Sequence, residues 1–335
     1  MLPTLLLTAG LGTRLRPLSY VRAKPAVPVA GEVLVRRILM WLRAAGVRDV
    51  VLNLHYEPQS ITAELGDGSD LGVTLRYSWE NPVLGSAGGP RRARSLLAAS
   101  RFLIVNGDTL TNLDIHTLAR EHERTAARVT MAVVPNPAPD RYGGVLVDEA
   151  GSVVGFVGRG SARPSWHYIG VQVVEADVFS ALPPDEPAET VNALYPALIR
   201  RRPGSVRALR CDASFEDIGT PADYLATSLA IAAREGGPSR LVGRRCTVAQ
   251  SARVVRSILW DDVTVEDDVT LTECAVGDGV RVPAGTALTR HSVILAGDAA
   301  RHGAVTEAGS HIVGNLLVVP FGDRPGGQRQ GSQRP

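Results

Sequence analysis

Between Cys246 and Leu295 the aliphatic residues return every six positions. In "CTVAQSARVVRSILWDDVTVEDDVTLTECAVGDGVRVPAGTALTRHSVIL", Val263 is followed by Val269, Val265 by Leu271, and Val276 by Val282 and Leu288. Small or turn-forming residues fill the gaps. This period is longer than the two residues of a strand or the 3.6 of a helix. It suits a parallel β-helix, in which three hexads close one coil and successive coils stack. About three coils are expected over 241–320, a module short enough to lean on the rest of the chain.

Upstream, from residue 2 to about 230, short apolar runs alternate with segments of helical period. "DVVLNL", "VTLRYS", "RFLIVNGD" and "VTMAVVP" read as strands, and "PQSITAELGDG" and "PRRARSLLAAS" as helices. In "GEVLVRRILMWLRAAGV" Val35, Ile38, Leu39 and Leu42 recur at helical spacing, with Gly46 placed as a C-cap. Alternation of this kind predicts βαβ units and a mostly parallel sheet. The polar stretch "AIAAREGGPSR" predicts a linker over 231–240, between domains of residues 1–230 and 241–320. Residues 323–335, built from Gly, Gln, Pro and Arg, are expected to be disordered.

A formal charge of +2 carries no argument for nucleic acid or for an anionic membrane surface. Cys211, Cys246 and Cys274 are widely spaced and form no C-x-x-C pair, so neither a disulfide framework nor a zinc site is expected. No stretch reaches the ~18–20 apolar residues of a membrane span. The N-terminus lacks a basic region and a cleavage signal. A cytoplasmic protein is expected.

The first apolar run, "PTLLLTAG", leads straight into Gly10-Leu11-Gly12-Thr13-Arg14. A glycine turn after a first strand lets backbone N–H groups approach a phosphate. It is not the dinucleotide fingerprint, because Leu15 stands where the third glycine belongs, and no G-K-[ST] completes a P-loop. Ten residues after Arg14 comes Lys24, the single lysine among 36 basic residues. An ammonium is a compact point charge and a guanidinium a broad planar fork. Exchange of lysine for arginine everywhere but here points to a crowded anion site at Lys24.

These residues resemble the sugar-1-phosphate nucleotidyltransferases. "AGLGTRLRPLSYVRAKPAVPV" is similar to that family's A-G-x-G-T-R-L-x-P-L-T followed by P-K-P-x-x-P-V, with Ala23 in place of the first of those prolines. "ENPVLGSAGG", "FLIVNGDTL" and "FEDIGTPADYL" resemble its later motifs in the same order, and a mannose-1-phosphate guanylyltransferase-like branch looks closest. The resemblance implies a Rossmann-like α/β domain with a mixed, mostly parallel sheet, followed by a short C-terminal left-handed parallel β-helix. It implies transfer of a nucleotidyl group from an NTP to a sugar 1-phosphate, giving an NDP-sugar and pyrophosphate, with GTP and mannose 1-phosphate the first expectation. UTP or dTTP with a glucose-type sugar 1-phosphate is the alternative. By the same resemblance Ala9, Gly10, Gly12 and Thr13 would line the triphosphate, and Glu80, Gly85, Ser86 and Gly88 the base and ribose. Arg14 and Lys24 would be catalytic, and Asp108 and Asp217 would hold Mg²⁺. Oligomerisation through the C-terminal domain is a further expectation.

One region departs from the pattern. The family's Glu-Lys-Pro element is missing from "VVGFVGRGSARPSWHYIGVQVV", where Arg159 is the nearest basic residue. Tyr168 occupies the place of an expected Asn, and Gly170 is retained. Arg159, Tyr168 and Gly170 are therefore the sugar-site candidates. The gap also leaves open a regulatory homologue that binds an NDP-sugar without turnover.

Overall fold

The structure is a computed structural model describing residues 1–238, 240–304 and 309–322; the segment expected to be disordered, 323–335, lies outside the described residues. The chain divides into two units, one of residues 1–15 and 22–218, the other of residues 16–21 and those from Gly219 onward. The expected boundary between 230 and 241 is therefore too late. Residues 231–234, expected as linker, complete a helix (Pro221–Arg234) that Thr220 and Asp223 start with a capping box. From this helix Tyr224 accepts a hydrogen bond from Trp260 Nε1 at 2.9 Å, with the rings edge-on and both side chains fully buried. That buried pair joins the helix to the C-terminal unit, which local composition could not reveal.

In the first unit, β1 (Thr4–Leu7), β2 (Asp49–Leu54), β3 (Thr74–Trp79) and β4 (Arg101–Asn106) are parallel, in the order β4-β1-β2-β3. Leu5, Leu6 and all of Phe102, Leu103, Ile104 and Val105 are fully buried. Strands covered on both faces have no wet side, hence their unalternating apolar runs. Helices α1 (Leu34–Ala44), α2 (Pro58–Leu65) and α3 (Gly85–Leu97) connect them. The buried stripe of α1 contains the expected Val35, Ile38, Leu39 and Leu42.

A short strand β5 (Leu110–Thr111) follows, then α4 (Ile115–Thr125) and β6 (Val129–Pro135). Strands β7 (Gly144–Val147) and β8 (Val153–Val157) form a hairpin at one edge. Next comes β9 (Trp166–Glu175), antiparallel to β4, β6 and β7. After α5 (Tyr195–Arg201), β10 (Val206–Arg210) pairs parallel to β6, which completes a mixed nine-stranded sheet. Finally β11 (Phe215–Glu216) pairs with β5.

The chain leaves β1 to lay β2 and β3 on one side, then returns to lay β4 on the other. Between β1 and β4 the connections diverge, and open α/β sheets hold ligands outside the carboxyl ends of strands at such a point.

In the second unit, parallel strands stack in three ladders. Val248, Val265 and Val282 pair in one, Val254, Leu271 and Leu288 in another, and Leu259, Val276 and Val293 in the third. The six-apart series Val276, Val282 and Leu288 thus visits all three ladders in turn. Within a ladder the step is 17 residues, as for the Arg245–Asp262 pair, one short of three hexads. Arg245, Asp262 and Gly279 share positive φ of 54° to 66°, and Arg256, Glu273 and Arg290 of 48° to 61°. At these left-handed corners opposite charges sit one step apart: Arg245 lies 2.6 Å from Asp262 and Arg256 lies 3.2 Å from Glu273. Among the described residues, no helix is long and apolar enough to cross a membrane.

Candidate active site

The turn after β1 is compact. Gly12 has φ +60°, and a single 3-10 turn (Thr13–Leu15) buries Leu15 while Thr13 and Arg14 stay exposed. Ala9 is buried, and Gly10 is exposed with open space where a Cβ would stand. Proline breaks the following segment into further 3-10 turns, the last of which (Lys24–Ala26) begins with Lys24 itself. Lys24 is only 9% exposed.

Its Nζ donates to Asp108 Oδ2 at 2.6 Å. Gly107 makes this approach possible: its N–H donates to the Leu7 carbonyl at 2.8 Å, and a Cβ there would lie 2.5 Å from that oxygen. Only glycine lets the end of β4 close so tightly on β1. Burial works to raise the Asp108 pKa, but the charge and hydrogen bond of Lys24, with the charge of Arg14, hold it below the ordinary carboxylate value.

Asp217 reaches the site along the β5–β11 ribbon. Phe215 pairs with Thr111 and Glu216 with Leu110, so the next step returns Asp217 toward the loop that carries Asp108. Asp217 Oδ2 accepts from Arg141 Nη2 at 2.8 Å and from the Tyr142 hydroxyl at 3.1 Å. His167 packs beside Tyr142 and Phe215, with centroids 4.4 and 4.7 Å away. Burial depresses the His167 pKa against the opposing charge of Asp217. Arg141 and Tyr142 went unnoticed in the sequence, where "NPAPDRYGG" is only a polar turn and Asp217 lies 76 residues beyond Arg141.

Two carboxylates are hard oxygen donors suited to a small divalent cation. No group of three or more His, Cys, Asp or Glu able to hold a metal occurs among the described residues. An ion here would complete its shell with substrate phosphate and water, which is how Mg²⁺ prefers to bind.

The expected base loop is built differently from its sequence reading. Gly85–Leu97 is one helix, so the glycines expected to precede the helix form its first turns, with Pro90 inside it. A Cβ on Gly88 would meet Glu186 O at 2.6 Å, and one on Gly85 would meet Glu189 Oε1 at 2.6 Å. Ala87 N donates to Ala188 O at 2.8 Å, and Ser86 Oγ donates to Glu189 Oε2 at 2.6 Å. The small residues therefore admit segment 186–190, a use the sequence did not disclose.

Glu80 is 4% exposed, with both oxygens engaged. Asn53 Nδ2 donates to Oε1 and Leu84 N to Oε2, each at 2.8 Å. Asn53 Oδ1 in turn accepts from Thr8 N at 2.7 Å. This chain of bonds fastens the 80–84 turn to the ends of β2 and β1.

The sugar-site candidates separate. Gly170, φ +81°, lies in the irregularity of β9 between Tyr168 and Gln172, where a Cβ would come within 2.9 Å of Asn106 Nδ2. Arg159 and Tyr168 instead line a cavity of about 780 Å³ with His167, Asn192 and Arg200. The Tyr168 hydroxyl has no hydrogen-bond partner among the described residues, and burial drives its pKa well above normal.

The nucleotidyl transferase family matches residues 3–234. Mannose-1-phosphate guanylyltransferase of Mycobacterium tuberculosis is 30% identical over 297 residues, covering 85% of this chain and 82% of that protein. UTP–glucose-1-phosphate uridylyltransferase of Synechocystis is 24% identical, over 83% of this chain and 76% of that one. Among solved structures, HddC from Yersinia pseudotuberculosis complexed with GMP-PN superposes with a TM-score of 0.61 at 25% identity, covering 69% of this chain and all of that one. With the family match over residues 3–234 and these likenesses, the chain belongs to the nucleotidyl transferase family.

Proposed function

We propose that the protein transfers a nucleotidyl group from an NTP to a sugar 1-phosphate, releasing pyrophosphate, with GTP and mannose 1-phosphate as substrates. The carrying observation is the pairing of the single lysine with Asp108 where the connections of β1 and β4 diverge. The GTP–mannose assignment follows the activity of the M. tuberculosis relative and the GMP-PN in the HddC complex.

An oxygen of the sugar phosphate attacks the α-phosphorus, a P–O bond forms, and the bond to pyrophosphate breaks. Positioning and charge neutralisation carry such a step. Gly10, Gly12 and Thr13 would present backbone N–H groups to the triphosphate, and Arg14 and Lys24 would neutralise the two phosphates being joined. Asp108 and Asp217 would hold a divalent ion, read as Mg²⁺, which when bound would supply charge neutralisation to the phosphates. Glu80 positions the 80–84 turn beside the base, at the start of the Gly85, Ser86 and Gly88 helix. Arg159 and Tyr168 face the sugar, with Gly170 shaping the wall beside Asn106. In the C-terminal unit the three ladders are read as the three faces of a left-handed parallel β-helix that supports oligomerisation. The enzyme is read as cytoplasmic, acting on small molecules without nucleic acid or membrane.

The test is pyrophosphate release with GTP, UTP, dTTP, CTP and ATP against a panel of sugar 1-phosphates, with and without Mg²⁺. Turnover that needs Mg²⁺ and is fastest with GTP and mannose 1-phosphate is expected. Binding of an NDP-sugar with no turnover for any pair would establish the regulatory reading instead.

A further inference from the structure

Arg141 has no part in the roles assigned above. It lies in the loop between β6 and β7, with its guanidinium 5.2 Å from the Tyr142 ring and 2.8 Å from Asp217 Oδ2. Its side chain is 36% exposed and that of Asp217 18%. Asp108 is occupied in parallel fashion by Lys24. Each carboxylate assigned to the divalent ion therefore already holds a protein cation on one oxygen. Adding a dication while keeping both would leave a partly buried site with excess positive charge, which is costly away from bulk water.

We propose, on the nucleotidyl-transfer reading, that Arg141 is an exchangeable counter-ion: it holds Asp217 in the ligand-free chain, releases it to the divalent ion, and turns to the incoming phosphates. Of the two cations Arg141 is the more exposed. It stands on a loop with a third of its side chain in water, whereas Lys24 is buried within a 3-10 turn. The exchange also balances in charge, because the dication replaces the guanidinium at Asp217 while new anions arrive for it. A guanidinium fork matches phosphate oxygens in pairs. The result is coupling: Arg141 opposes the ion alone and favours the ion together with phosphate.

Mn²⁺ titrated into the full chain, followed by the loss of its free-ion EPR signal, reads this without turnover. Arg141→Gln should tighten Mn²⁺ about five- to tenfold in the absence of phosphate. In the presence of Mn²⁺ it should weaken pyrophosphate binding by a comparable factor. Arg141→Lys, which keeps the charge, should retain most of the wild-type Mn²⁺ affinity. In an Asp217→Asn background Arg141→Gln should change Mn²⁺ affinity little. An unchanged Mn²⁺ affinity in Arg141→Gln, or the same gain in the Asp217→Asn background, would overturn the proposal. Absence of pyrophosphate release from every substrate pair, with the Mn²⁺ shifts intact, would defeat the transfer reading and leave the ion exchange at Asp217 standing.

Discussion

Lys24 Nζ lies 2.6 Å from Asp108 Oδ2 although 84 residues separate them. Their meeting follows from strand order: β1 and β4 are neighbours and parallel, so the loops at their carboxyl ends share one edge of the sheet. The pair joins the residue proposed for the phosphates with one proposed for the metal.

That geometry makes Lys24→Arg a severe change. The lysine is 9% exposed, and a guanidinium needs more room than the ammonium occupies. Pyrophosphate release should fall by ~10²-fold or more, since a contact made in the transition state is lost. Steady-state kinetics on the variant checks this, and near-normal rates would remove Lys24 from the catalytic machinery.

Acid should undo the same pair. The Asp108 carboxyl is held below its ordinary value in the folded chain, so its stabilising contribution is complete above the unfolded pKa of about 3.9 and is lost as pH falls through the lower, folded value. Urea unfolding of wild type and Asp108→Asn between about pH 3 and 7 reads this. The stability gap should be constant above about pH 5 and shrink as pH falls below it.

Glu80→Gln tests the fastening of the base loop. One carboxylate oxygen becomes an NH₂ that must face a donor, either Asn53 Nδ2 or Leu84 N. A buried mismatch of this kind costs ~1–3 kcal/mol. Thermal unfolding should record that loss, and KM for the NTP should rise more than kcat falls.

In the C-terminal unit Tyr224→Phe should remove the hydroxyl that accepts the buried hydrogen bond of the Trp260 indole N–H. The expected cost is ~1–3 kcal/mol, measured by denaturant unfolding with Trp260 fluorescence among the probes. A neutral result would show that edge-on ring packing alone holds the Pro221–Arg234 helix to the ladders.

Much of the fold was legible because its signals are local. Unalternating runs such as "FLIV" mark strands buried on both faces, and the spacing of Val35, Ile38, Leu39 and Leu42 marks the face of α1 that is buried. The six-residue period announced stacked parallel strands, though not the 17-residue step between them. Lys24 stood out as the one basic position where arginine had not been used. The helix through Gly85–Gly89 was missed because glycine followed by proline reads locally as a turn. Its neighbours in 186–190, which occupy the space those glycines leave, lie a hundred residues away (Ser86 to Glu189, 103).

What the sequence determined by itself is whatever short-range periodicity and backbone freedom encode: most of the strands and helices, and the glycine turn. The tertiary structure alone decided which charges meet. Arg141 reaches Asp217 across 76 residues, and the helix from Pro221 belongs to the C-terminal unit, because sheet order and burial are settled by the whole chain at once. No local pattern records a partner that only folding brings within 3 Å.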